Sequence, residues 1–254
     1  MKTPIKVLGV VFAFLLIAVS AFAQDMKPEA GKLYNDGNQK LKNGDFAGAV
    51  VSYDSALAIE KDYRIYYQKG IALSKLNKID DAKDAFEESL KVKPDFYAAN
   101  NALGSVYFSL GDYQKAADNI EKYLTTVTDS TVKKAIQKNL SIAYAKLGDE
   151  ANKKGDSKNA IDYFEKAVAN SDYDVAYLSL AKVYTETNEW DKAISAAENA
   201  VKFRAKISTG GPYYYMGVAY KGKGETAKAK EMFKKAKSDA TYKKPAEYEL
   251  SLLK

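Results

Sequence analysis

Residues 97–120 read YAANNALGSVYFSLGDYQKAADNI, and this stretch decides the fold. Asn100, Leu103 and Tyr107 stand at i, i+3 and i+7, the spacing of one helix face, and the small Gly104 beside them leaves room for a second helix. Gly111 ends the first helix and Asp112 opens the next, on which Tyr113, Ala116 and Ile120 carry the same periodicity. The stretch encodes a helix, a turn and a helix, with a small alanine at the crossing.

The pattern recurs along the chain. It returns as Gly44-Asp45-Phe46 with Ala49 and Tyr53, as Asn77-Lys78-Ile79 with Ala82 and Phe86, and as Gly155-Asp156-Ser157 with Ala160 and Phe164. Two more copies are Asn188-Glu189-Trp190 with Ala193 and Ala197, and Gly224-Glu225-Thr226 with Ala229 and Phe233. The first-helix signature reappears as Tyr177-x-x-Leu180-Ala181-x-x-Tyr184 and Tyr213-x-x-Met216-Gly217-x-x-Tyr220. Successive turn residues are 33, 34, 44, 33 and 36 positions apart, a period that marks stacked supersecondary units.

These residues make the chain resemble a tetratricopeptide repeat protein from about Ala30 to Lys243, nearly everything after the N-terminal segment. The resemblance implies an all-α fold, a right-handed α-solenoid of about six helix-turn-helix repeats spanning 30–62, 63–96, 97–130, 131–173, 174–209 and 210–243, with a cap at 244–254. The sequence departs from the family pattern at Asp36 and Lys40, where apolar residues are usual, and at Ser157, where an aromatic is usual. The proline that closes a unit survives only as Pro94. The first departures suit a terminal repeat with one open face.

Two segments stand outside the period. Thr131 to Lys154 holds no proline and a single glycine, which predicts a first helix of 24 residues in the fourth repeat, either packed on its neighbour or serving as a docking spur. Pro245 to Leu253 reads as a short last helix with Pro in its first turn and Tyr248, Leu250, Leu252 and Leu253 covering the final repeat.

Composition removes much chemistry. The 254 residues include no cysteine and no histidine, so disulfide frameworks, Cys/His zinc sites and nucleophiles activated by histidine are excluded. The apolar share of 46% is that of a folded protein. No carboxylate pair is placed by an evident pocket, and the reading is of a non-enzyme with no cofactor and no metal. Gly222-x-Gly224-x-x-Ala227 mimics a dinucleotide fingerprint but lacks the preceding strand that motif needs. Asp80, Asp81 and Asp84 sit in the first turn of a helix, where negative charge is favoured. Asn139-Leu140-Ser141 is a formal glycosylation sequon inside a helix. The 20 tyrosines fall mostly at repeat-core positions such as Tyr53, Tyr107, Tyr177, Tyr184, Tyr213 and Tyr220, which argues against a base-stacking platform.

Residues 1–23 carry Lys2 and Lys6, an uncharged apolar run from Val7 to Val19, and Ala21-Phe22-Ala23 before Gln24, the pattern of a cleaved export signal. An uncleaved anchor is the alternative, since Val7 to Ala23 is at the short limit for a bilayer span. Removing 23 residues and two lysines leaves 231 residues with net charge +4, a mildly basic protein expected in the periplasm or outside the cell. Residues 24–29 read as a linker.

The resemblance further implies that first helices line a concave groove. Helix periodicity then places Tyr34, Asn38, Lys42, Arg64, Tyr67, Lys75, Asn101, Ser105 and Phe108 in it, followed by Ile142, Asp149, Lys153, Val175, Leu178, Lys182, Glu186, Tyr214, Val218 and Lys221. Six of these are basic and two acidic, which suits a stretched, partly apolar peptide of acidic character, with Tyr34, Tyr67 and Phe108 as anchors. The chaperone-tail clamp of the family is absent: Asn38 fits it, but Tyr34 replaces a lysine and the third repeat offers Ala98 and Ala102. A second surface is the segment Lys221 to Lys244, with nine lysines against three acids. There Lys228, Lys230, Lys234 and Lys235 would hold an anionic glycan or lipid surface. The expected function is a non-catalytic, exported scaffold or adaptor for a protein or peptide partner, with envelope glycan or lipid association as the alternative and nucleic acid disfavoured.

Overall fold

The computed structural model describes residues 26–253. The export signal at 1–23 and the start of the 24–29 linker lie outside them. Thirteen helices and no strand occur among the described residues: α1 (Pro28–Lys42), α2 (Phe46–Ile59), α3 (Tyr63–Lys75), α4 (Ile79–Val92), α5 (Tyr97–Leu110), α6 (Tyr113–Leu124), α7 (Ser130–Lys153), α8 (Ser157–Asn170), α9 (Asp174–Glu186), α10 (Trp190–Lys202), α11 (Gly210–Gly222), α12 (Thr226–Ala236) and α13 (Lys243–Leu252). The architecture is an all-α solenoid of helical repeats. No helix among the described residues is long and apolar enough to cross a membrane.

The period in the sequence is a backbone conformation. All six turn residues are left-handed: Gly44, Gly111, Gly155 and Gly224 have φ of 83°, 82°, 76° and 77°, and Asn77 and Asn188 have 59° and 62°. This is the region only Gly, and less readily Asn, enters at low cost. The following residue reaches back across the turn: Asp112 N–H donates to the Tyr107 carbonyl at 2.9 Å and Glu189 N–H to Tyr184 at 2.8 Å, and the other four turns repeat the bond. In three of the six turns the same residue also caps the next helix with its side chain: Asp45, Asp112 and Asp156 accept from the N–H of Gly48, Lys115 and Asn159. One two-residue signal thus ends one helix and starts another.

Each hairpin is closed by complementary volumes. The crossing alanines Ala49, Ala82, Ala116, Ala160, Ala193 and Ala229 are fully buried. On the first helix a glycine faces the large residue sixteen positions later: a methyl on Gly148 would sit 2.6 Å from the buried Phe164 ring, and one on Gly70 the same distance from Phe86. The fifth repeat reverses both partners, with Ala181 in place of glycine and Ala197 in place of the ring, each fully buried. A ring needs a glycine opposite it, and an alanine tolerates an alanine.

Contacts divide the chain into two compact units after Thr128. The first holds hairpins α1–α2, α3–α4 and α5–α6. The second holds α7–α8, α9–α10 and α11–α12, with α13 packed on α12. Helix α7 is 24 residues long, as its sequence predicts.

Two boundaries differ from the sequence reading. Residues 24–29 are not wholly a linker: α1 starts at Pro28, whose fixed φ suits the first turn, and Met26 is buried beneath it. In α13, Ala246 is buried and Leu250 and Leu253 pack on the last repeat, but Tyr248 and Leu252 are 64% and 54% exposed. The helical period sends residues 248 and 252 to the opposite face from 246, 250 and 253.

Candidate binding surfaces

Within each unit the first helices of successive hairpins also touch, α1 with α3 and α3 with α5, then α7 with α9 and α9 with α11. They form an inner layer, and the second helices an outer one. In the first unit the inner layer presents Asn38 and Lys42 from α1, Tyr67 and Lys75 from α3, and Asn101, Ser105 and Phe108 from α5. Lys42 and Lys75 are exposed and the other five half-buried. Phe108 meets the Tyr113 ring edge-on at 5.2 Å, and Tyr67 packs between Phe86 and Phe96. Burial, with Tyr123 nearby, pushes the Tyr67 hydroxyl up to about 12, so its ring stays neutral. Among the described residues the Asn101 Oδ1 is buried without a hydrogen-bond donor, an unsatisfied acceptor on the inner layer.

Two residues assigned to this face from sequence do not lie on it. Tyr34 is 2% exposed and packs on Tyr53 at 6.2 Å between ring centres. Arg64 is also buried and grips Asp62 with two parallel bonds, Nε to Oδ1 at 2.9 Å and Nη2 to Oδ2 at 2.7 Å. Tyr34, halfway along α1, is turned toward its own hairpin partner α2, and Arg64, at the start of α3, is folded back onto the preceding Asp62. Arg64→Ala strips Asp62 of this fork and is expected to lower stability by about 3 kcal/mol, measured by urea unfolding, whereas Lys75→Ala is expected to change it by under about 0.5 kcal/mol.

The inner layer of the second unit combines half-buried Ile142, Val175, Leu178 and Val218 with exposed Lys153, Lys182 and Glu186. Asp149 lies among them, half-buried. Burial raises its carboxyl above the ordinary value, while Lys146, Lys153 and Lys182 pull it back. Lys182 is loosely paired with Glu186 at 3.8 Å. The two remaining sequence-assigned residues are committed elsewhere: Tyr214 is packed by Phe233 and Tyr242, and Lys221 is held by Glu249 of α13 at 2.6 Å. The C-terminal helix therefore closes that end of the layer, a contact no local pattern in the sequence announces.

The basic surface on α12 is partly neutralised. Lys228 pairs with Glu225 at 2.6 Å and Lys235 with Glu231 at 2.8 Å. Lys230, half-buried, and Lys234, exposed, have no ion partner among the described residues. Asp174 is a residue the sequence reading missed. It is 2% exposed, and its Oδ2 accepts the N–H groups of Ala205, Lys206 and Ile207 at 2.7, 2.6 and 3.0 Å. Its only sequence signal is an acid at a helix start, which reads as a cap rather than a tether for a loop some thirty residues later. Among the described residues no group of three or more acids could hold a metal ion.

Comparison with known proteins agrees with the repeat geometry. A family model described as a tetratricopeptide repeat matches residues 67–130. Three further models of the same description match 142–171, 176–203 and 213–240, and together the four cover more than half of the chain. The tetratricopeptide repeat and J domain-containing co-chaperone DNJ1 of Cryptococcus neoformans var. grubii is 26% identical over 118 residues, 46% of this chain and 23% of that protein. The photosystem I assembly protein Ycf3 of Prochlorococcus marinus is 27% identical over 124 residues, 48% of this chain and 70% of that protein. The chain spans between 19% and 37% of the length of several curated relatives. Among solved structures, MamA 41-end from Desulfovibrio magneticus RS-1 has a TM-score of 0.50 at 21% identity, covering 72% of this chain and 99% of that one, a likeness of fold.

Proposed function

The chain belongs to the tetratricopeptide repeat family, and from that premise we propose that it is a non-catalytic scaffold whose inner helical layer receives a segment of a partner protein. The observation that carries this is the make-up of the layer in the first unit. Half-buried Tyr67 and Phe108, both fixed by packing on other rings, share the layer with Asn101, and Lys42 on α1 and Lys75 on α3 are exposed. Rigid aromatic anchors lower the ordering cost of association, and the lysines favour a segment of acidic character. Relatives whose names describe a co-chaperone and an assembly protein are in keeping with a protein partner. Export belongs to the same proposal and rests on the signal pattern at residues 1–23.

The alternative, an anionic glycan or lipid held by the four α12 lysines, is weakened because Glu225 and Glu231 already engage two of them. A photo-crosslinking amino acid placed at Ser105 on the inner layer, and separately at the exposed Val51 on the outer layer, tests the reading in the cell of origin. An adduct with a protein other than this chain is expected at residue 105 and not at 51, on a chain whose mass starts at Gln24. Adducts confined to position 51 would sink the inner-layer reading.

A further inference from the structure

The outer side of the first unit carries a cavity of about 390 Å³ between α2, α3 and α4. Its floor is apolar, with Val50 and Leu73, and Asp81, Asp84 and Glu88 stand along one side. The i, i+3, i+7 spacing sets those three carboxylates in a row on α4. Their charge is only partly met: Glu88 is engaged by Lys91, Asp84 lies 3.4 Å from Lys83, and Asp81 has no ion partner among the described residues. On the facing wall Lys69 is taken up by Asp54 at 2.6 Å. The nearby Lys78 is the one lining cation left to oppose the row. Over its whole length α4 holds five acids against two lysines, a net of −3.

Helix α12 is its counterpart. It holds four lysines against Glu231, a net of +3, and its two unpaired lysines, Lys230 and Lys234, are four residues apart on one face. The asymmetry extends beyond these helices: residues 129–254 carry six more bases than acids, and residues 26–128 one more acid than bases.

We propose that the cavity is a docking site for a second copy of this chain, with Lys230 and Lys234 of one molecule set against Asp81 and Asp84 of the next. Lysine stems are apolar and can lie on the Val50 and Leu73 floor while their ammonium groups meet the carboxylates. Because the two patches differ, the contact is heterologous, head to tail, and builds a ring if the rotation between copies closes and a filament if it does not. Exposed charge pairs are individually weak and screened by salt, so the association is weak and salt-dependent.

The test is sedimentation velocity of the purified protein at about 100 μM, in about 30 mM and about 500 mM salt. The expected result is concentration-dependent assembly at low salt that is lost at high salt. Lys230→Glu with Lys234→Glu, and separately Asp81→Lys with Asp84→Lys, are each expected to weaken it at least about tenfold, since like charges then face each other. Mixing the two variants restores association between unlike chains, through the native pair at one contact and the exchanged pair at the other, and combining all four substitutions in one chain restores it through exchanged charges alone. Asp81→Asn with Asp84→Asn serves if the lysine variant fails to fold, which far-ultraviolet circular dichroism reports. A protein that stays monomeric at low salt, assembly indifferent to both pairs, or failure of the mixed variants to associate overturns the proposal. So does a monomer whose Lys230 and Lys234 bind vesicles of anionic phospholipid.

Discussion

Exchanging Asp174 for asparagine is expected to lower the unfolding free energy by about 2–4 kcal/mol, because three backbone N–H groups and its own helix start depend on one ionised carboxylate. The loop it holds, residues 203–209, joins α10 to α11, and its ends are also fixed by Phe203 stacked on Tyr177 and by Arg204 donating to Thr209, but only Asp174 ties down its middle. Asparagine keeps an oxygen but loses the charge, and its amide group turns donors toward donors. The carboxylate also makes this joint sensitive to acid. Burial alone would raise the Asp174 pKa, but the N–H bonds from Lys206, Ala205, Ile207 and Val175 together outweigh it and hold the pKa below the ordinary 3.8. A depressed carboxyl contributes stability that is present above the unfolded value and lost as pH falls through the folded one. The parent should therefore lose stability progressively below about pH 4, and the asparagine variant should show a flatter acid limb. Trp190 is the single tryptophan of the chain, and a methyl on Gly222 would sit 2.6 Å from its ring. Its fluorescence during urea unfolding thus reads the α10–α11 pair at the end away from the loop, and reports the loop's loss through the unfolding of that pair. Equal stability of parent and variant at pH 7 would show that the loop is held by something else.

The second large effect concerns the reversed pair in the fifth repeat. Ala197→Phe restores the ring found at the equivalent place in other repeats, yet it is expected to destabilise by about 3 kcal/mol, because the Ala181 methyl occupies the space that glycine leaves empty elsewhere. Ala181→Gly alone should cost about 1 kcal/mol through backbone entropy. Combining the two should recover most of the loss, giving a coupling of about 3 kcal/mol in a double-mutant cycle. Additive losses would mean that the partners are not matched by volume. The opposite change, Gly148→Ala, presses a methyl onto Phe164, and the same cycle with Phe164→Ala should couple in the same direction.

These two predictions differ in how far the sequence announces them. The alternation of Gly148 with Phe164, and of Ala181 with Ala197, lies sixteen residues apart in the chain and can be read without coordinates. The tie from Asp174 to residues 205–207 crosses some thirty residues and follows no repeated spacing. The same contrast runs through the candidate surfaces. Asn38, Lys42, Lys75, Asn101 and Phe108 stand on the inner layer as helix periodicity places them, whereas Tyr34 and Arg64, chosen by that same periodicity, are buried under neighbouring elements. Tyr214 and Lys221, expected on the same face, are engaged by Tyr242 and Glu249.

What the sequence determined by itself is the set of hairpins and their number. Left-handed turns at six Gly or Asn residues, acidic caps beside them and small residues opposite large ones are intrinsic to each residue and act within one hairpin. What only the tertiary structure decided is which faces remain open. Periodicity fixes where a side chain points relative to its own helix, but burial depends on the next hairpin, the 203–209 loop or α13 arriving at that face. The cavity between α2, α3 and α4 arises the same way, from three helices meeting, and no one of them encodes it.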